Sequence, residues 1–495
     1  MISDTLTPKS PAMKNGYESG LNEWIKLEKA AIELIGIIGT LWYEKSIELI
    51  IFHNELTDRS SSELMNLHLY AKNVVKQPIT IHDTLLIARE IQKLDLSPSR
   101  IDIGKLASEW IQEKTKYGND STKFITDKLK RFIGKDKLVL TPKDVVLYGF
   151  GRVGRIAARE LISQAGKGEQ LRLRAIVTRN YSDADLVKRA DLLRTDSVHG
   201  PFPGTVVEDF ENKALIINGH SVKMLAANKF EELDYTAHGI NDALLIDNTG
   251  VVRDRAGLGK HLLAKGISKV LLTAPGKGDI PNIVFGINHE KIDLKNEKIF
   301  SAASCTTNAI IPVLKVIEEA LSIKNGHIET IHSYTNDQNL LDNYHKKYRR
   351  GRSAPLNMVI TETGASSAVG KVLPALKGKL TANSVRVPTP NVSLAIMHLE
   401  VSRKTTKEEV NEIMRNAALY STLVEQIQYS YSNELVSTDV IGNPCASVFD
   451  SQATIVAEDG THIVLYVWYD NEYGYTKQVF RLAKYLAEVI RLRYY

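Results

Sequence analysis

Asp144-Val145-Val146-Leu147-Tyr148-Gly149-Phe150-Gly151-Arg152-Val153-Gly154-Arg155 decides how this chain of 495 residues is read. Val145–Tyr148 is a short apolar strand, a G-x-G-x-x-G turn follows, and Ile156, Ala157 and Leu161 continue at helical spacing. Strand, tight glycine turn and helix in that order let a backbone approach a pyrophosphate closely and rest it on the helix N-terminus. The stretch predicts a dinucleotide-binding α/β unit with Gly149, Gly151, Arg152, Val153 and Gly154 at the cofactor. The second strand, Leu171–Val177, ends in Thr178-Arg179-Asn180. A NAD-binding unit normally places an acid there for the ribose hydroxyls. A guanidinium instead binds the 2′-phosphate that a carboxylate repels, so Arg179 predicts that NADP is accepted. Ala243–Asp247 before Asn248-Thr249-Gly250, and Lys269–Leu272 before Thr273-Ala274-Pro275, extend the sheet. They bring Thr249 and Thr273 to the edge where open α/β sheets bind ligands.

A second stretch carries the chemistry. Ser301-Ala302-Ala303-Ser304-Cys305-Thr306-Thr307-Asn308 runs into Ile310, Ile311, Val313, Leu314 and Ile317 at helical spacing. Cys305 is therefore expected at a helix N-terminus, where free N–H groups and the dipole favour a thiolate. Pro312 predicts a kink or a lost backbone bond. His332 closes a strand and opens Ser333-Tyr334-Thr335-Asn336-Asp337. Tyr348-Arg349-Arg350-Gly351-Arg352 and Val385-Arg386-Val387-Pro388 supply cations, and Thr363-Gly364-Ala365 supplies a hydroxyl and backbone donors. A nucleophile, a base, two cationic segments and a dinucleotide fold together point to oxidation of a phosphorylated aldehyde.

From about Asp144 to Tyr495 the chain resembles the phosphorylating glyceraldehyde-3-phosphate dehydrogenases. The resemblance rests on Gly149–Arg155, Asp196-Ser197-Val198-His199-Gly200, Ser301–Asn308, His332–Thr335, Thr363–Ala365, Val385–Pro388 with Asn391-Val392-Ser393, and Trp468–Tyr475. The turn Thr273–Pro281 and the run Asp337-Gln338…Arg349-Arg350 look more like the NADP-using branch. What the resemblance implies is specific. Cys305 is the nucleophile and His332 its base, holding the thiolate in an ion pair. Thr335, Asp337, Arg350 and Arg386 match a substrate-phosphate site, with Arg349 and Arg350 undecided. Ser304, Thr306, Thr363, Gly364 and again Arg386 match a site for inorganic phosphate. Asn471 matches the residue that orients the nicotinamide. The implied partners are glyceraldehyde 3-phosphate and inorganic phosphate, the cofactor NADP and/or NAD, and the assembly a homotetramer. Three departures stand out: Thr178-Arg179 replaces the Asn-Asp of NAD-using members, Tyr473 a more usual Trp, and Ser366-Ser367 an Ala with Lys or Arg. Erythrose-4-phosphate dehydrogenase, ending in hydrolysis, is the nearest alternative; a non-catalytic scaffold centred on the N-terminal region is another.

The organisation follows: an all-α extension over residues 1–133, a Rossmann NAD(P)-binding domain over 144–303, and an α+β catalytic domain over 304–475. A C-terminal helix over 476–495 packs back on the second. Residues 1–20 read as a polar, disordered start. In the extension, Trp24, Leu27, Ala30, Ala31 and Leu34 share a face, Leu64, Leu67, Leu69 and Val74 mark another helix, and Ile81–Leu94 and Ile103–Lys114 two more. Net charge is +5, with 43% apolar residues and two cysteines, Cys305 and Cys445. These numbers predict no disulfide framework and a reducing, cytoplasmic setting. No aromatic-interleaved basic stripe points to nucleic acid, and no ligand cluster to a metal. Leu34–Tyr43, the longest uncharged run in the most apolar segment, is too short to span a bilayer.

Overall fold

A computed structural model describes residues 16–495. Of the stretch read as a disordered start, residues 1–15 lie outside the described residues, and Tyr17–Gly20 form the first turn of a helix. The chain divides into two compact units: residues 140–490, and the residues before 140 together with Arg491–Tyr495.

In the N-terminal unit, α1 (Tyr17–Lys45) buries Ala30, Ala31, Leu34, Ile37, Ile38 and Leu41, whereas Trp24 is 47% exposed. Ser46 takes a left-handed conformation and stops the helix. The next five residues, Ile47–Ile51, are all buried and form β1. There follow β2 (Asn54–Glu55), α2 (Ser61–Val75), α3 (Ile81–Lys93), β3 (Ser99–Asp102), α4 (Ile103–Glu113) and α5 (Ser121–Lys128). Ser60 with Glu63, and Thr80 with Asp83, close capping boxes on α2 and α3, satisfying amides that the helix ladder leaves open. The expected helices are present, but they pack on a four-stranded sheet that the all-α reading omits. Its order is β2, β1, β3 and Leu492–Tyr494, the last three running parallel. Such strands are hard to read from sequence because they are short and neither alternate nor run apolar throughout: Glu48 interrupts β1, and β3 is Ser99-Arg100-Ile101-Asp102.

The C-terminal helix is corrected likewise. It spans Tyr473–Leu486, and the final residues are a strand of the N-terminal unit's sheet. Within residues 140–490 that helix buries Tyr475, Val479, Phe480 and Leu486 in one cluster with Leu147, Leu161 and Ile176.

The larger unit contains two eight-stranded sheets. The first centres on β4 (Lys143–Tyr148) and β5 (Leu171–Thr178), joined by α6 (Arg152–Ser163). β4, β5, Ala243–Asp247, Ile267–Leu272 and Ile299–Ser301 run parallel, and His220–Ala226 joins β5 in parallel before two antiparallel strands finish the edge. This is a Rossmann fold. The second sheet is mixed: Val359–Thr361, Leu380–Val387, Ile323–Ser333, Ser393–Val401, His462–Tyr469, Ser447–Asp450 and Ile427–Ser430, with Ile455–Val456 beside the fifth. The helix Cys305–Leu321 lies on it, burying Ile310, Val313, Leu314 and Ile317 with Met397 and Leu465. It runs through Pro312 without interruption.

Candidate active site

Cys305 is the first residue of its helix, and Ser304 is the N-cap, its hydroxyl accepting from the Thr307 amide at 3.0 Å. Ala303 is left-handed at φ 56°, and the Asn308 amide donates to the carbonyls of Ala302 and Ser304, so the turn before the thiol is fixed on both sides. Cys305 Sγ lies 3.6 Å from His332 Nε2. His332 Nδ1 is 2.8 Å from the Ser333 carbonyl, which can only accept. That fixes the proton on Nδ1 and leaves the Nε2 lone pair facing sulfur.

Strand register brings the next residue in. Ile323–Ser333 and Leu380–Val387 pair in parallel with His332 opposite Arg386. The Arg386 guanidinium donates to the Ser333 carbonyl at 2.9 Å and to Thr335 at 3.4 Å, and lies 3.0 Å from His332 Nδ1. Burial, then Arg386, pushes His332 down to about 3. Burial pushes the thiol up, while Arg386 and the Thr306 amide and hydroxyl pull it back. Both directions record the cost of one bare charge in a buried place. Moving the proton from Sγ to Nε2 keeps the pair net neutral and puts the thiolate on helix amides beside Arg386.

A cavity of about 250 Å³ opens at this pair, lined by Ser304, Cys305, Thr306, His332, Thr363, Gly364 and Arg386 among others. Gly364 is the N-cap of a second helix, Ala365–Val372, so two helix starts meet there. Thr306 shares a 3.0 Å hydrogen bond with buried Tyr469. Thr335, Asp337 and Arg350 do not line this cavity. They form an adjoining chain in which Thr335 donates to Asp337 at 2.5 Å and Arg350 donates to Asp337 and, at 2.9 and 3.1 Å, to Thr361. Arg350 is buried and Arg349 exposed, so Arg350 is the arginine this geometry holds. Asn471 is buried, and its Oδ1 accepts from both Ser333 and Ser393 at 2.9 Å, leaving the amide nitrogen as the free-facing donor.

The glycine turn has its own cavity, about 410 Å³, lined by Tyr148, Gly149, Phe150, Gly151, Arg179 and Thr249 among others. Gly149 has φ +94°, and a Cβ on Gly154 would stand 2.3 Å from the Gly149 carbonyl oxygen, so both must be glycine. A Cβ on Gly151 would meet nothing within 4 Å, so the backbone there is open to a bound group. Asp247 holds Thr249 through its amide and hydroxyl, both at 2.7 Å. Arg152 faces elsewhere: its guanidinium pairs with Glu472 and Asp196, which also caps the turn at Val198 and His199. Thr273 bonds the Asp247 carbonyl and Asn248, and neither it nor Val153 lines the cavity.

Two family models match the chain: glyceraldehyde 3-phosphate dehydrogenase, NAD binding domain, over residues 143–255, and its C-terminal domain over residues 304–471. A glyceraldehyde-3-phosphate dehydrogenase-like protein of Pseudomonas aeruginosa is 49% identical over 459 residues, covering 92% of this chain and 98% of the relative. The chain belongs to the glyceraldehyde-3-phosphate dehydrogenase family. The Priestia megaterium glyceraldehyde-3-phosphate dehydrogenase is 40% identical over 339 residues, 68% of this chain and 96% of that protein. The chloroplastic glyceraldehyde-3-phosphate dehydrogenase A of Zea mays is 42% identical over 340 residues, 68% and 81%. The Pseudomonas alignment is longer than residues 144–495, so it reaches into the extension, whereas the other two are not long enough to need it.

For a member of this family, three features escape a reading of the sequence. Arg189, from α7 (Asp183–Arg194), lines the cofactor cavity with Arg179. Ser333 and Ser393 set the Asn471 amide, a link legible only from the pairing of Ser393 with Tyr469 and of Ile331 with Leu394. Glu472 recruits Arg152 and His199. Among the described residues no cluster could hold a metal ion, and no helix is long and apolar enough to cross a membrane.

Proposed function

We propose that the chain catalyses reversible, phosphate-dependent oxidation of glyceraldehyde 3-phosphate to 1,3-bisphosphoglycerate with NADP and/or NAD. The contact of Cys305 Sγ with His332 Nε2, inside a cavity shared with Arg386, carries this reading. Gly149, Gly151 and Thr249 would hold the cofactor's phosphates and ribose, Arg179 a 2′-phosphate, and Asn471 the carboxamide; when bound, the cofactor supplies the hydride acceptor. His332 takes the thiol proton as Sγ adds to the aldehyde carbon and hands it to the new alkoxide oxygen, giving a hemithioacetal and a free Nε2. His332 Nε2 then accepts the hydroxyl proton as the carbon is oxidised, and a thioester remains on Cys305. Ser304, Thr306, Thr363 and the amides after Gly364 hold inorganic phosphate beside it. Attack by phosphate oxygen forms the acyl phosphate and returns the thiolate. Arg386 spans both anions, and Thr335 with Arg350 takes the substrate phosphate in place of Asp337.

The reading goes on to a cytoplasmic protein and a homotetramer, supported by family membership. Steady-state kinetics with NAD and NADP, each with and without phosphate, test it. Turnover that needs phosphate supports the reading. Faster, phosphate-indifferent turnover of erythrose 4-phosphate overturns it.

A further inference from the structure

A histidine that no motif points to sits beneath the cofactor cavity. His261 lies on a short helical turn, Lys260–Leu263, and Asp247 ends the strand Ala243–Asp247; neither shows any exposed surface. His261 Nε2 donates to Asp247 Oδ2 at 3.2 Å. Nδ1 is buried and makes no hydrogen bond. The polar side of this ring is thus spent on one carboxylate. Among the described residues His261 is the one donor to Oδ2. Without it a buried charged oxygen would lack a partner, and the carboxylate could find one only by turning.

Three side chains that line the cavity rest on this histidine. Tyr148 meets its ring edge-on with centroids 4.7 Å apart, and Phe230 lies tilted against it at 4.5 Å. Thr249 is reached through Asp247, whose Oδ1 accepts from the Thr249 amide and hydroxyl, both at 2.7 Å. That bond sets the polarity of Thr249. Its hydroxyl proton is committed to Asp247, and the Val251 amide donates to the same oxygen at 3.2 Å. What Thr249 Oγ1 still offers is a lone pair. It can accept from a ribose hydroxyl and cannot donate to a phosphate oxygen.

We propose that His261 is a positioning residue for the cofactor. Through Asp247 it fixes Thr249 as an acceptor for a ribose hydroxyl, and through its ring it sets Tyr148 and Phe230 in the same wall. The inference rests on the reading of this cavity as the cofactor's.

The test is calorimetric titration of NADP, and separately of NAD, into the full chain. His261→Phe keeps a ring against Tyr148 and Phe230 but removes the donor. His261→Gln keeps a donor near the place of Nε2. The Kd for both cofactors is expected to rise about tenfold in His261→Phe and to stay within about threefold of wild type in His261→Gln, since one hydrogen bond locks the geometry. Thr249→Val should weaken binding by a similar factor, and adding His261→Phe to it should cost little more, because both act on one hydroxyl. If His261→Phe does not fold, His261→Asn, whose amide is too short to reach Asp247, takes its place. A lower melting temperature with unchanged cofactor affinity would make the histidine structural only and overturn the proposal. So would losses that multiply in the double variant. A wild-type chain that binds neither cofactor would overturn the reading of the cavity, and the proposal with it.

Discussion

Buried charge is arranged in two different ways in this chain. In the N-terminal unit, Glu48 sits between Arg100 at 3.5 Å and Arg491 at 3.6 Å, and Arg100 also reaches Glu55. Each cation there has a carboxylate. Around Cys305 the half-buried cation, Arg386, donates to a carbonyl and a hydroxyl and lies beside the imidazole, and the carboxylate that acts on it, Asp337, is itself bonded to Arg350. A compensated cluster is complete as it stands and holds a fold together. One in which two arginines, Arg350 and Arg386, share the carboxylate of Asp337 is kept at some cost in stability, and an incoming anion completes it. The contrast separates structural from functional charge without reference to any relative.

The largest effects should come from breaking each arrangement in turn. Glu48→Leu takes a shared carboxylate away from Arg100 and Arg491 in the N-terminal unit, and removing one partner of a buried pair costs about 3–5 kcal/mol. Thermal unfolding should show that loss, while turnover below the melting range stays unchanged. Arg386→Leu should do the reverse: kcat/KM falls by about 10²–10³, as for loss of a preorganised anion donor, and the melting temperature holds or rises. A destabilised Arg386→Leu protein with near-normal kinetics would break the distinction.

A single acid in the N-terminal unit sharpens it. Asp102 caps α4 through the Lys105 amide at 2.9 Å and accepts from Phe52 at 3.1 and 3.2 Å. Burial raises it to about 6 against these hydrogen bonds. Its folded value therefore lies above its unfolded one, so between about pH 4 and 6 the folded state holds more proton than the unfolded. Stability from this group is present below that window and is lost as pH rises through it, by about 3 kcal/mol. Asp102→Asn keeps a capping oxygen and should remove this component from the pH dependence of denaturant midpoints. Equal slopes in wild type and variant would show that Asp102 is ionised throughout.

At the active site the corresponding probe is the proton between Cys305 and His332. With imidazole present, transfer leaves no net charge. With His332→Asn, burial holds the thiol above its ordinary value. Alkylation of Cys305 by iodoacetamide at pH 7 should slow by at least about 30-fold, since even an ordinary thiol is only a few per cent thiolate there. An unchanged rate would mean that the helix amides and Arg386 alone activate the sulfur.

These cases also mark what a sequence makes legible. The glycine turn and Cys305 at a helix start are local, set by spacing within a few residues, and the structure has them where the spacing puts them. The nearness of His332 to Arg386, and of Asn471 to Ser333 and Ser393, depends on register between strands far apart in the chain. Only the resemblance of the flanking motifs anticipates it. β1 is missed for another reason: Ile47-Glu48-Leu49-Ile50-Ile51 follows a helix directly, and the left-handed Ser46 that separates them leaves no glycine or proline signal. Arg152 is expected at the cofactor from its place in the motif, yet Glu472, 320 residues away, claims its side chain.

The cofactor cavity extends the same contrast to a site where compensation is absent twice over. Arg179 ends β5 and Arg189 stands on the following helix, and both line one wall with no carboxylate among the described lining residues. Glu232, close in sequence to Asn228 of that lining, is occupied with the amides of Asn228 and Lys229 and so caps its own turn. Two guanidiniums without a counter-charge are a poor setting for two ribose hydroxyls and a good one for a 2′-phosphate. If each contributes one charge-assisted hydrogen bond, Arg179→Ala should raise the KM for NADP about tenfold, Arg189→Ala somewhat less, and neither should change the KM for NAD appreciably. The double variant should then approach equal use of the two cofactors. A fall in NAD and NADP efficiency by the same factor would assign both arginines to the shared pyrophosphate instead, and the cavity would then select nothing at the ribose.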